Sequence, residues 1–156
     1  MFGQMFAPQA YRRIQARMTR TLGAETILVV EDAEVIRKMV CAMLAQGGYT
    51  VIEAADGHEA LRVLEVQSGP VHLVLTDMIM PHMNGTELAR HVSQRHPNLP
   101  IIFMSGYNDD PVVQGVERGG SVFLAKPFTA AALAEKIRQA LDHSRNDPSG
   151  DGSDPL

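Results

Sequence analysis

The chain has 156 residues, 45% of them hydrophobic, which is enough for one domain with a real core. A net charge of −4 does not indicate a nucleic-acid coat, and 5% aromatic residues without any Trp argue against a stacking platform for single-stranded nucleic acid. The single cysteine, Cys41, excludes an internal disulfide, and no apolar run is long enough to span a bilayer, so we expect a cytoplasmic protein.

Composition divides the chain into three zones. We predict an N-terminal extension or linker over residues 1–24, one domain over 25–142, and a disordered tail over 143–156, where Gly, Pro, Ser and Asp dominate. The extension carries four arginines and no acid. Its apolar residues recur at helical spacing, which is compatible with a short amphipathic helix: Tyr11, Ile14, Met18 and Leu22.

The central zone alternates short apolar runs with segments of helical periodicity. The runs predict five strands: Ile27–Val30, Thr50–Ala54, Val71–Thr76, Ile101–Met104 and Val122–Ala125. Five helices are placed by their apolar faces: Ile36, Met39, Val40, Met43 and Leu44; Leu61, Val63 and Leu64; Leu88, Ala89 and Val92; Val112, Val113 and Val116; Leu133, Ile137 and Leu141. This order predicts an α/β fold, a doubly wound parallel sheet covered on both faces.

Polar residues follow four of the five predicted strands. They are Glu31 and Asp32 after the first strand, Asp77 after the third, Ser105 after the fourth and Lys126 after the fifth. Because ligands of open parallel sheets bind beyond the carboxyl ends of the strands, we expect these side chains to share one edge.

Three carboxylates at one edge disfavour each other's ionisation, and a hard divalent cation relieves that conflict. Oxygen ligands suit Mg²⁺, whereas zinc would favour cysteine or histidine. An alternative reading is that Glu31 and Asp32 only cap a helix that starts at Ala33. Capping alone does not explain Asp77 and Lys126 at the ends of other strands.

Four segments together resemble the receiver domains of two-component response regulators. They are Val29–Asp32, Thr76–Gly85, Phe103–Gly106 and Lys126–Phe128, in matching order across residues 25–142. The resemblance implies a flavodoxin-like sheet with strand order 2-1-3-4-5 and five helices. It also implies two-component signalling, in which the domain accepts a phosphoryl group and switches the binding of a partner.

The resemblance further implies the roles of individual residues. Asp77 would be the nucleophile that becomes an aspartyl phosphate. The Mg²⁺ ligands would be Asp32, Asp77 and the backbone carbonyl of Ile79, with Glu31 binding directly or through water. Many family members have Asp where this chain has Glu31, and the longer side chain favours a water-mediated contact.

Three further positions match the family's pattern. Lys126 would pair with the phosphoryl oxygens, and Ser105 would donate a hydrogen bond to the new phosphoryl group. Phe123 matches the switch aromatic, which would fill the space that Ser105 opens when it moves. The Lys126–Pro127 peptide is expected to be cis.

The resemblance implies a histidine kinase or a histidine phosphotransfer protein as donor, and a downstream protein partner. It implies no direct nucleic-acid contact, and it is compatible with a homodimer through the face of the fourth predicted helix, the fifth strand and the fifth helix. Such a chain is a signalling domain rather than an enzyme, although it assists its own phosphotransfer and dephosphorylation. Since no output domain follows residue 142, we expect either a stand-alone receiver or the terminal receiver of a hybrid histidine kinase.

Two alternatives stay open at this point. A degenerate receiver would act only as a protein-interaction module, and Glu31 is its best support. A hydrolase with an aspartyl-phosphate intermediate would need a second acid two residues after its nucleophile, where this chain has Ile79. A nucleotide-binding enzyme would need a glycine-rich first loop, and none follows the first strand.

Overall fold

Five parallel strands form one sheet with the spatial order β2-β1-β3-β4-β5. The computed structural model describes residues 25–106 and 122–145. The strands are β1 Thr26–Val30, β2 Thr50–Ala54, β3 Leu73–Asp77, β4 Ile101–Ser105 and β5 Val122–Ala125. The predicted strand order and the parallel α/β architecture are therefore confirmed.

Four helices lie within the described ranges: α1 Glu34–Gln46, α2 Gly57–Val66, α3 Gly85–Arg95 and α4 Ala130–Arg145. The predicted helix with Val112, Val113 and Val116 lies outside the described residues, so α4 is the fifth helix of the sequence prediction. The extension at 1–24 and residues 146–156 also lie outside them. Helix α4 runs three residues past the predicted domain end at 142. Among the residues that the structure describes, no helix is long and apolar enough to cross a membrane.

Both faces of the sheet are covered, because alternate strand residues point to opposite sides. The first face packs against α1 and α4, and its core includes Ile27, Val29, Leu73, Leu75, Ile102, Met104, Val40, Leu44, Leu133 and Ile137. The second face packs against α2 and α3, and its core includes Leu28, Val30, Val74, Ala54, Ala60, Leu88 and Val92. The central strands β1 and β3 are almost completely buried, while the edge strand β2 is half-buried.

One predicted core residue is wrong. Met39 was placed on the buried face of the first helix, but it is 48% exposed. Helix α1 buries a narrow stripe that contains Val40 and Leu44. Successive residues of an α-helix are rotated by about 100°, so Met39 lies at the margin of that stripe.

The register brings the ends of the inner strands level with one another. Val30 pairs with Thr76, Asp77 pairs with Met104, and Ser105 pairs with Ala125. Asp77 and Ser105 are thus the last residues of their strands, whereas the sequence placed them just beyond. Backbone pairing does not depend on side-chain polarity, so an apolar run alone cannot mark where a strand ends.

A glycine holds the loop after β3 against the strand. A Cβ on Gly85 would lie 2.4 Å from the carbonyl oxygen of Asp77 and 3.0 Å from Cα of Met78. Both are backbone atoms, which cannot rotate away. The Gly85 N–H also donates to the Met78 carbonyl at 2.8 Å, so the close approach is fixed by a hydrogen bond.

We expect Gly85→Ala to lower the free energy of unfolding by about 1–3 kcal/mol, the usual range for overpacking. Gly69→Ala is the matched control, because a Cβ on Gly69 would meet nothing within 4 Å. Urea unfolding of both variants beside the parent measures the difference. Equal stability of the two variants would show that the loop yields without cost.

Candidate functional site

A buried carboxylate lies directly after β1. Glu31 is 1% exposed. Its Oε1 accepts a hydrogen bond from the Ala33 N–H at 3.2 Å, and its Oε2 accepts one from Lys126 Nζ at 2.9 Å. Both carboxylate oxygens therefore already have protein donors. The helix after Glu31 starts one residue later than expected, with Ala33 as its N-cap.

Lys126 lies between two acids. Its Nζ is 2.9 Å from Glu31 Oε2 and 3.2 Å from Asp77 Oδ1, and its side chain is 21% exposed. The backbone N–H of Lys126 donates to the Ser105 carbonyl at 2.7 Å, which holds the residue at the edge of the sheet. One ammonium group thus connects the ends of β1, β3 and β5.

The pKa values of this pair shift in the same direction for different reasons. Burial raises the pKa of Glu31, the nearby charge of Asp77 adds to the effect, and the hydrogen bond from Lys126 offsets only part of it. Burial alone would lower the pKa of Lys126, but the hydrogen bond to Glu31 and the charge of Asp77 outweigh burial, so that pKa is raised. Lys126 therefore stays protonated at neutral pH.

Asp77 lies at the carboxyl end of β3 with its side chain 14% exposed. Its Oδ1 accepts a hydrogen bond from the Met78 N–H at 2.9 Å, and the same oxygen faces Lys126. These contacts orient the carboxylate at the sheet edge, where it is reachable from solvent. The arrangement suits a nucleophile whose charge is balanced by one neighbouring cation.

Three carboxylates converge at this edge. One oxygen from each of Glu31, Asp32 and Asp77 lies within 4.8 Å of the other two. Opposite ligands of a Mg²⁺ ion are about 4.2 Å apart, since its bonds to oxygen measure 2.0–2.1 Å. Neighbouring ligands are closer, about 2.9 Å apart, so the cluster would have to contract, or admit water between a carboxylate and the ion, to hold one. Ile79, the proposed carbonyl ligand, lies in the adjoining loop and is 74% exposed.

The two residues of the predicted switch lie on neighbouring strands. Ser105 ends β4 and is 6% exposed. Phe123 in β5 is half-buried and stacks on Phe103, with ring centroids 5.4 Å apart and planes at 25°. Strand alternation puts Ser105, Phe103 and Phe123 on the same face of the sheet. The Lys126–Pro127 peptide is cis, as the resemblance implied.

Sequence reasoning missed Arg37 in the first turn of α1. Its Nη1 donates to the Glu31 carbonyl at 2.8 Å, and its Nε donates to Glu53 Oε1 at 3.1 Å. Lys38 binds the other oxygen of Glu53 at 2.9 Å. The hydrogen bond from Lys38 is the largest cause, and that from Arg37 a further one, that holds the pKa of Glu53 below its ordinary value. The sequence contained one signal for Arg37: it is a cation near a helix N-terminus, where acids are favoured.

The family model described as the response regulator receiver domain matches residues 27–138. The chain belongs to this family. The match covers all four site segments of this receiver domain and every strand, except for the first residue of β1.

Two curated relatives illustrate the range of proteins that contain such receiver domains. The chain is 37% identical over 127 residues to sensor kinase CckA of Brucella abortus, covering 81% of this chain and 13% of that protein. It is 38% identical over 133 residues to the alkaline phosphatase synthesis transcriptional regulatory protein SphR of Synechococcus elongatus, covering 80% and 52%. The chain thus spans about half or less of these relatives.

A solved structure supports the same assignment. The receiver domain of hybrid histidine kinase CckA is 36% identical, with a TM-score of 0.63, and the match covers 74% of this chain and 98% of that one. The receiver domain seen here therefore has a close structural counterpart over nearly the whole of that solved domain.

Lys126→Met is expected to lower the free energy of unfolding in EDTA by about 3 kcal/mol, since it leaves a buried charge without its partner. The pKa of Glu31 would rise further in the folded state. The folded variant would then bind more protons than the unfolded chain. Its free energy of unfolding should therefore fall further below that of the parent as the pH rises above 4.5, the ordinary glutamate value.

Urea unfolding from pH 5 to pH 8 measures this deficit. Lys38→Met is the matched control, because that lysine also pairs with a glutamate but is 60% exposed. A deficit that is independent of pH, or equal in the two variants, would contradict the role assigned to Lys126.

Proposed function

We propose that this receiver domain accepts a phosphoryl group from a phosphohistidine onto Asp77, in a reaction that requires Mg²⁺. The observation that carries the proposal is the position of Lys126 Nζ, 3.2 Å from Asp77 Oδ1, beside a cluster of three carboxylates. This arrangement places a nucleophilic oxygen next to a fixed positive charge. Family membership supports the same chemistry.

The transfer moves one phosphoryl group between two protein side chains. An oxygen of Asp77 attacks phosphorus, the P–N bond of the phosphohistidine breaks, and the released imidazole nitrogen takes up a proton from solvent. The product is an acyl phosphate on Asp77. Negative charge is spread over the three equatorial oxygens in the transition state, so positioned cations and hydrogen-bond donors accelerate the step.

The residues of the cluster divide into ligands and supports. Asp32 is exposed and its carboxylate lies near that of Asp77, so these two, with the carbonyl of Ile79 two residues further along the chain, would hold the ion together with waters. Glu31 would contact it through water, because both of its carboxylate oxygens already accept protein hydrogen bonds. Mg²⁺ would supply positive charge to the phosphoryl oxygens, while Lys126 and Ser105 add a cation and a hydroxyl donor.

The donor we propose is a histidine kinase or a histidine phosphotransfer protein in the cytoplasm. Similarity to a sensor kinase and to a transcriptional regulatory protein supports both settings, the terminal receiver of a hybrid kinase and a separate receiver. The domain would act on a downstream protein rather than on nucleic acid, with 25–142 as its bounds. A homodimer through the face of β5, α4 and the fourth predicted helix is a further part of this proposal.

Intact mass after incubation with Mg²⁺ and acetyl phosphate tests the transfer. The parent is expected to gain one phosphoryl group, Asp77→Asn none, and Asp32→Asn far less because a metal ligand is lost. Asp142→Asn, an exposed aspartate of α4, is the matched control and should react like the parent.

A degenerate receiver predicts a different result in the same experiment. No adduct on the parent, either from acetyl phosphate or from a cognate histidine kinase, would overturn phosphoacceptance and leave a protein-interaction module. An adduct that persists in Asp77→Asn would show that another residue is the acceptor.

We propose that Ser105 and Phe123 report the phosphoryl group to a partner. Both lie on one face of the sheet, with Phe123 on the neighbouring strand and only half-buried. Movement of Ser105 toward the phosphoryl group would open space that the ring can enter.

Phe123→Leu is therefore expected to accept the phosphoryl group but to lose the spectral changes in β5. Amide NMR spectra before and after phosphorylation measure them. Val122→Ala, on the same strand but packed on the opposite face, is the control. If phosphorylation changed the β5 amide shifts of Phe123→Leu as much as those of the parent, the ring would have no part in the switch.

A further inference from the structure

Glu31, the residue that follows β1, is held by both of its backbone polar groups. The Glu31 N–H donates to the Ala54 carbonyl of β2 at 3.2 Å, and the Glu31 carbonyl accepts a hydrogen bond from Arg37 Nη1 at 2.8 Å. That carbonyl belongs to the peptide joining Glu31 to Asp32. A donor fixed on it therefore restrains both acids that follow β1.

Arg37 is itself anchored. Its Nε donates to Glu53 Oε1 at 3.1 Å, and its side chain is only 14% exposed. The planar guanidinium can reach a carboxylate and a carbonyl at once, which the single ammonium group of a lysine cannot do in the same geometry. Glu53 lies next to Ala54 at the end of β2, so both backbone contacts of Glu31 lead to the same strand, the carbonyl contact through Arg37.

The position of Arg37 is unfavourable for the helix that carries it. It lies in the first turn of α1, where the exposed N–H groups favour negative charge. Its neighbour Lys38 is 60% exposed and, among the described residues, pairs with Glu53, so it shares the helix and the partner but not the Glu31 carbonyl. The contrast between these two residues isolates the carbonyl contact.

A chain of contacts leads from Arg37 to the reacting group. Arg37 holds the Glu31 carbonyl, Glu31 Oε2 holds Lys126 Nζ, and Lys126 lies 3.2 Å from Asp77 Oδ1. The other side of the same peptide leads to Asp32, an oxygen ligand of the cluster. One fixed carbonyl therefore influences both the metal ligands and the lysine.

We propose that Arg37 is a positioning residue for this site, which sets the Mg²⁺ affinity by fixing the Glu31–Asp32 peptide against β2. The inference rests on the proposed Mg²⁺ site, and it does not depend on phosphoryl transfer. Groups that orient metal ligands from outside typically change metal affinity by 10–100-fold, and a contact made through the backbone belongs at the lower end.

Two measurements on Arg37→Met, Arg37→Lys and the control Lys38→Met test it. Calorimetric titration with MgCl₂, well below the unfolding temperature, should give a Kd about tenfold higher for both Arg37 variants and an unchanged Kd for Lys38→Met. Amide hydrogen exchange in EDTA should be faster at Glu31 and Ala33 in the Arg37 variants only. Hydrogen exchange without metal reports directly how firmly this peptide is held, whether or not the protein accepts a phosphoryl group.

Each outcome separates the inference from the proposed function. If Arg37→Met matched Lys38→Met in both measurements, or lost only global stability, the positioning role would be overturned. If the parent bound Mg²⁺ and the Arg37 variants bound it more weakly, the inference would stand even where Asp77 accepted no phosphoryl group. If the parent bound no Mg²⁺, the metal claim would be overturned both in this inference and in the proposed function.

Discussion

The site depends on one ammonium group shared by two carboxylates. Glu31 is almost fully buried, Asp77 lies beside it, and both face Lys126 from different strands. The free energy needed to bury an unpaired charge is far larger than the stabilisation that a surface ion pair provides. The buried acid therefore destabilises the fold unless its partner is in place. The same contact points the lysine at Asp77. Folding stability and the proposed reactivity of Asp77 therefore depend on the same interaction.

The rest of the fold serves to bring those groups to one edge. The parallel register ends β1, β3 and β4 side by side, and helices α1, α2 and α3 return the chain to start β2, β3 and β4. Gly85 lets the loop after β3 lie directly on the Asp77 peptide, and Arg37 fixes the peptide after β1. The peptides on either side of the carboxylate cluster are thus fixed by contacts to their backbone.

The sequence predicted most of the fold, and the acids that it proposed for the site lie together at one edge of the sheet. Apolar runs predict buried strands because both faces are covered, and chemistry at the carboxyl ends follows from parallel topology. Strand ends were less predictable, since Asp77 and Ser105 are polar yet pair in the ladder. Met39 was misplaced because helical periodicity alone does not define how wide the buried stripe is. Arg37 was missed because its contact is to a backbone carbonyl, and a cation near a helix N-terminus does not by itself indicate which group it binds.

The most direct measurement is a crystal structure with Mg²⁺ and beryllofluoride, a stable mimic of a phosphoryl group. The account predicts beryllofluoride on a carboxylate oxygen of Asp77, Mg²⁺ bound by Asp32 and Asp77, and Lys126 Nζ in contact with both a fluoride and Glu31 Oε2. Beryllofluoride on another residue, or a Lys126 turned away from Glu31 and Asp77, would contradict the shared ammonium group as the basis of this site.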